Sequence, residues 1–340
     1  MNRSSAGMTL PRYILLGMLT VGLATQVSAQ TDRCLDRTIP AYVYTDRGDA
    51  VIPLTAANFK ASIRGKPILV TDASYDSGPR RIVILIDVSG SMTERGRLKW
   101  GLTFAQDMIS LTSSQDWLAL LTFSNRVEDA IPFGQSRAAL LAEVDKLQDT
   151  NWDRVKGLRR TALEDALVHA LALLKTPRVG DAICLVTDGG ENASQARQSR
   201  VEALLESAGV RVFAILPTWN MGSRTISPVE AEGPTKLRGL ATATGGALLV
   251  FVPGQVRYVS TPTTGPFVVT VQDKQDLSSA AQGFHQEISS FIKLNLRLPG
   301  PLAKPHDWKL DVVDASGRQN KNLEIVYPHR LPPCTPGAVH

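Results

Sequence analysis

Between residues 81 and 252 the chain alternates apolar runs with amphipathic segments, and this pattern limits its fold more than any other feature. The runs are "IVILI" (82–86), "WLALLTF" (117–123), "AICLVT" (182–187), "VRVFAIL" (210–216) and "GALLVFV" (246–252). A strand wetted on one face would alternate polar and apolar residues. Unbroken runs suit strands covered on both faces of a parallel sheet. Helical spacing fills the intervals: Leu98, Leu102, Ala105 and Ile109; then Leu163, Leu167, Ala170 and Leu174; then Val201, Leu204 and Ala208. The order predicts an α/β domain with a doubly wound, mostly parallel sheet flanked by helices. "WLALLTFSNRVEDAIPF" reads as two strands around a tight "SNR" turn, which implies one antiparallel strand at an edge.

The flanks read differently. "IPAYVYTD" and "ASIRGKPILVTDASY" before the domain, and "IKLNLRLP", "WKLDVVDASG" and "LEIVY" after it, are short β-like pieces between polar turns. They are expected to meet as one small β module. The organisation that follows is a signal segment (1–29), an N-terminal β segment (30–79), the α/β domain (80–254), a linker (255–277), and a helix with the C-terminal β segment (278–340). The helix is expected near Ser278–Phe291, packing with the β module.

The first 29 residues carry Arg3 and Arg12, then the apolar "YILLGMLTVGLA", then "VSA" before Gln30. This is the pattern of a secretory signal peptide cut after Ala29; an uncleaved anchor is the alternative, with a run short for a spanning helix. The expected location is secreted or periplasmic, with no membrane insertion after cleavage. The formal charge of +5 loses two arginines with that segment and falls to +3. Together with the lack of a basic run, this argues against nucleic acid as a partner. Of three cysteines, Cys184 sits inside an apolar run and reads as core. Cys34 and Cys334 bracket the mature chain. They are either a disulfide of an oxidising compartment or two unrelated thiols.

In a doubly wound sheet, ligands bind beyond the carboxyl ends of the strands. Asp87, Ser89 and Ser91 follow the first strand of the domain in "IDVSGSM". Thr161 precedes a helix in "RRTALEDAL". Asp188 follows a buried strand in "LVTDGGEN". All five offer oxygen, and an oxygen-only set favours a hard cation: Mg²⁺, or Mn²⁺ or Ca²⁺. Three of the donors are neutral hydroxyls, so a divalent ion there would stay electrophilic and could take an anionic ligand from outside. Taken singly, such residues are also ordinary helix caps and turn formers.

In this order and after these strands, "DVSGSM", the threonine of "RRTALEDAL" and "LVTDGGEN" resemble the metal-ion-dependent adhesion site (MIDAS) of von Willebrand factor type A domains. The resemblance covers about residues 80–252. "VYTDRGDAVIPLTAANFKASIRGKPI" is similar to the segment preceding this domain in secreted bacterial proteins of the acidobacterial von Willebrand-related type. The resemblance implies that Ser89, Ser91 and Thr161 are hydroxyl ligands, that Asp87 and Asp188 act directly or through water, and that a partner protein completes the metal shell with an Asp or Glu carboxylate. Arg159 and Arg160 depart from the small residues common before the threonine, and either point away or crowd the metal face.

The expected role is therefore a secreted, non-enzymatic, metal-dependent binding protein of adhesion or envelope assembly. The alternatives are a metal-free scaffold domain and a Mg²⁺-dependent, phosphotransferase-like hydrolase. The second wants an acid two residues after its aspartate, where this chain has Ser89. There is no G-x-S-x-G elbow for a serine hydrolase. Arg95, Arg97, Lys156, Arg159 and Arg160 read as a cationic rim facing Asp87, Glu94, Asp153, Asp188 and Glu191. Trp152 and Trp219 read as aromatic anchors or as residues packing their own loops.

Overall fold

The computed structural model describes residues 34–93, 96–152, 160–217, 228–252, 255–259, 267–269 and 274–334. Residues 1–29, expected to be a signal peptide, lie outside them. Among the described residues no helix is long and apolar enough to cross a membrane.

Three strands from the N-terminal flank, β1 (Asp36–Thr45), β2 (Phe59–Ile63) and β3 (Lys66–Asp76), lead to β4 (Arg81–Asp87), the first strand of the α/β domain. There follow α1 (Gly90–Thr93), α2 (Arg97–Leu111), β5 (Trp117–Phe123), β6 (Val127–Ile131), α3 (Arg137–Asp149), α4 (Leu163–Leu173), β7 (Ala182–Val186), α5 (Gln198–Ala208), β8 (Arg211–Pro217), α6 (Pro228–Thr244) and β9 (Leu248–Val252). Strands β9, β8, β7, β4 and β5 are parallel neighbours in that order. The "SNR" hairpin forms, with β6 antiparallel at the edge.

The period of two along each strand divides the core. Ile82, Ile84 and Ile86 point to one face and meet α2 and α3; Val83 and Leu85 point to the other and meet α4, α5 and α6. The helical stripes hold for α2 and α4. In α5 Val201 is buried and Ala208 packs against the core as expected, while Leu204 is exposed and Leu205 takes its place.

The stretch expected to be a linker contains β10 (Gln255–Val259) and β11 (Phe267–Val269), which continue the sheet antiparallel beyond β9. The next helix, α7 (Lys274–Ser289), belongs to the α/β layer rather than to the β module. Its Phe284 stacks edge-on against Phe104 and Phe213, and its Ser278 hydroxyl donates to Asp107 at 2.7 Å. The contacts of Phe284 are long-range, whereas β10 pairs with β9 through a tight hairpin, Gln255 opposite Val252, and "QVRYV" and "FVV" carry the β-branched and aromatic residues of strands that the linker reading passed over.

The flanks meet as expected. Strands β12 (Phe291–Arg297), β14 (Lys309–Val312) and β15 (Leu323–Val326) join β1–β3 in a six-stranded sheet of order β14-β2-β3-β12-β1-β15, beside a short ribbon of β13 (His306–Asp307) with β16 (Arg330–Leu331). Cys34 and Cys334 are disulfide-bonded across 300 residues, Cα atoms 5.4 Å apart, and Cys184 is free and buried. Two arginines join the β module to the domain at the end of α7. Arg211 donates to the carbonyls of Glu287 and Ile288, and Arg80 to that of Ser289, while the Phe291 ring centre lies 4.8 Å from the Arg211 guanidinium carbon and 4.4 Å from that of Arg80. Cations suit a helix C-terminus, where unpaired carbonyls gather.

Candidate metal centre

The sheet order places β4 between β5 and β7, so the chain leaves β4 to one side and later returns on the other. That reversal opens a crevice at the carboxyl ends of β4 and β7. Asp87 ends β4, and Asp188 lies two residues beyond β7.

Asp87 is fully buried. Its Oδ1 accepts the Ser89 N–H at 2.8 Å, and its Oδ2 accepts the Thr187 hydroxyl at 2.7 Å. Burial, and then the charge of Asp188, push its carboxyl up to about 7. The turn that brings Ser89 back over Asp87 also sets the Ser89 and Ser91 hydroxyl oxygens 3.3 Å apart.

Asp188 is nearly buried, and its Oδ1 accepts the Gly190 N–H at 3.1 Å. A Cβ on Gly190 would lie 3.2 Å from that oxygen and 3.7 Å from the Thr161 hydroxyl, which shows how closely the two ligand candidates approach. Gly189 stands at φ +80°, and a Cβ there would fall 2.7 Å from the Gly233 Cα of α6, so only glycine fits the turn.

Thr161 is held by a residue the sequence reading did not single out. Its N–H donates to Asn192 Oδ1 at 2.9 Å, and its carbonyl accepts the N–H groups of Asn192 and Ala193, both at 3.0 Å. Thr187 was missed as well. The signals were present: Asn192 closes "DGGEN", and Thr187 is the hydroxyl that ends an otherwise apolar run.

A second acidic pair braces the same loop. Glu191 accepts from the N–H groups of Glu164, Ala193 and Ser194 and from the Ser194 hydroxyl. Burial opposes its charge, but hydrogen bonds from the Glu164 carboxyl and from Ser194 and Ala193 hold it below its ordinary value. Burial first, and then Glu191, push Glu164 up to about 8.

The cationic rim is only partly as expected. Arg97 turns inward, its Nη1 donating to Asp188 Oδ2 at 2.8 Å. Arg160 lies against the loop backbone, donating to the Asn192 carbonyl at 2.7 Å. Trp152 packs its own loop, its indole N–H on the Leu147 carbonyl and its ring against the core. Glu94, Arg95, Asp153, Lys156, Arg159 and Trp219 lie outside the described residues.

The donors present fit a hard divalent cation. The Asp188 carboxylate sits close enough to disfavour the charge of Asp87, with the neutral hydroxyls of Ser89, Ser91 and Thr161 nearby. Among the described residues no cluster of three or more His, Cys, Asp or Glu could hold a metal, so a site here depends on hydroxyl oxygen.

Residues 82–191 match the family model of the von Willebrand factor type A domain. No curated protein matches the chain. Many solved structures are similar to it, and three of them illustrate the range. An aerotolerance-related membrane protein from Bacteroides fragilis aligns at 16% identity and TM-score 0.41, over 61% of this chain and 98% of its own. Proximal thread matrix protein 1 from the mussel byssus, in a form with a zinc-occupied MIDAS motif, aligns at 18% and 0.44, over 66% and 50%. A von Willebrand factor type A protein from Catenulispora acidiphila aligns at 14% and 0.38, over 85% and 72%.

Proposed function

We propose that residues 82–191, which match the family model of the von Willebrand factor type A domain, form such a domain in an exported, non-enzymatic protein that binds a partner through a divalent cation. The observation that carries the reading is the convergence of Asp87, Ser89, Ser91, Thr161 and Asp188 at the switch point of the sheet. Mg²⁺, or Mn²⁺ or Ca²⁺, held by these five residues would supply an electrophilic centre for an Asp or Glu carboxylate of the partner. The protein's own part is to fix the hydroxyls by backbone hydrogen bonds and to keep Asp87 away from water.

Export is supported by the disulfide between Cys34 and Cys334, which belongs to an oxidising compartment, and by the signal-like residues 1–29. A hydrolytic role is disfavoured because Ser89 stands where an acid-base carboxyl would be needed, and its N–H is spent on Asp87. One observation favours the metal-free scaffold as the second reading: Arg97 already neutralises Asp188.

The test is capture of partners from cell-envelope extract with and without chelator, alongside calorimetry with Mg²⁺ and Mn²⁺. Binding should require the cation and be lost in Asp87→Ala. Capture that survives chelation, with no divalent binding up to millimolar levels, selects the scaffold.

A further inference from the structure

Arg97 is the first residue of α2. A cation is disfavoured there, because the N–H groups of the first turn already present positive charge. No acid in that turn offsets it, and the residue before it is Gly96, at φ 76°. The side chain is nevertheless drawn inward, 16% exposed, onto a carboxylate that is 4% exposed. Its Nη1 lies 2.8 Å from Asp188 Oδ2 and 3.4 Å from the Ser91 carbonyl oxygen. The guanidinium therefore bridges the serine loop and the aspartate loop, the two loops that supply four of the five candidate ligands.

Resting on the reading that a divalent cation binds here, we propose that Arg97 is the resident counter-ion of Asp188 and sets the metal affinity of the centre. Without metal, Arg97 neutralises a carboxylate that would otherwise face Asp87 inside the protein. A divalent cation entering the centre must take over that oxygen or share it with the arginine. Both carry positive charge in a partly buried space, so each weakens the other's hold on Asp188. The coupling is reciprocal: the metal loosens Arg97 by the factor by which Arg97 weakens the metal. The centre therefore fills at a higher cation concentration than its oxygens alone would set.

The experiment uses the full mature chain with Mn²⁺ alone, read by calorimetry and by thermal unfolding with and without the ion. Arg97→Gln keeps a hydrogen-bonding side chain and removes the charge. It should bind Mn²⁺ about tenfold more tightly than wild type. Metal-free, it should unfold at a lower temperature, and Mn²⁺ should raise that temperature more than in wild type. Arg97→Lys keeps the charge and should bind Mn²⁺ much as wild type does. If Arg97→Gln folds only when refolded with Mn²⁺, the counter-ion role is upheld, because the ion then replaces the missing charge. Equal or weaker binding by Arg97→Gln, or equally tightened binding by Arg97→Lys, overturns the proposal while the metal reading stands. Absence of Mn²⁺ binding in wild type and both variants overturns both. Binding by Arg97→Gln alone upholds both, with the arginine as the block.

Discussion

Thr187 and Asp87 meet across two neighbouring parallel strands, the threonine hydroxyl donating to Asp87 Oδ2 at 2.7 Å, and both residues are fully buried. The same hydroxyl oxygen accepts the Gly189 N–H at 3.1 Å. One side chain thus supports the first carboxylate of the centre and shapes the loop that carries the second. Replacing it with the isosteric valine would leave a buried carboxyl oxygen and a buried N–H without this partner. Thr187→Val should destabilise the metal-free protein by about 1–3 kcal/mol and weaken Mn²⁺ binding. Chemical denaturation and calorimetry on the same preparation test this, and unchanged Mn²⁺ affinity would count against Thr187 as a positioning residue.

Asn192 acts similarly on Thr161, whose N–H donates to Asn192 Oδ1 and whose carbonyl accepts the N–H groups of Asn192 and Ala193. Asn192→Ala removes only the side-chain bond to the Thr161 N–H. Metal affinity should fall about tenfold or more, the usual cost of losing support behind a ligand. Asn192→Asp keeps the acceptor oxygen and should recover most of it. Calorimetric titration of both variants with Mn²⁺ is the measurement.

The buried Asp87 gives the metal-free protein a pH dependence of definite sign. Its carboxyl is raised to about 7, from an ordinary value of 3.8, by burial and by Asp188. Between those values the folded chain keeps a proton that the unfolded chain has released. The stabilisation is therefore full below the unfolded value and is lost as pH rises through about 7. Glu164, raised to about 8, acts in the same direction. The melting temperature of chelated protein should fall between pH 5 and pH 8, and fall less in Asp87→Asn. Mn²⁺ affinity should rise over the same interval, because the cation binds the carboxylate. A melting temperature that rises with pH equally in both proteins would refute the assignment.

The Cys34–Cys334 bridge closes nearly the whole described chain. Its removal should cost about 2–5 kcal/mol, chiefly by freeing the unfolded chain. Non-reducing peptide mapping should recover the linked pair, with Cys184 alkylated only after denaturation, since it is buried. Denaturation midpoints of Cys34→Ser, Cys334→Ser and the double variant should coincide, because each removes the same bridge.

The sequence by itself determined the parallel sheet and the five candidate ligands. Runs such as Ile82–Ile86 and Ala182–Val186 carry their burial in local composition, and a strand that ends in Asp87, or two residues before Asp188, puts that carboxylate at the rim whatever surrounds it. It also marked both flanks as short β-like pieces of one module, and they share a six-stranded sheet.

The tertiary structure decided what depends on partners distant in sequence. Lys274–Ser289 joins the α/β layer because Phe284 finds Phe104 and Phe213, whereas 255–259 and 267–269 pair with near neighbours in sequence and their strand-like residues were legible. Arg97 was legible as a nearby cation, but only the bend of the chain around Gly96 and the position of Asp188 direct it inward rather than to solvent. Thr187 and Asn192 take their roles from the groups they face, Asp87 across 100 residues and Thr161 across 31. A hydroxyl or an amide has no fixed meaning in sequence, because its energy is set by the partner that burial supplies.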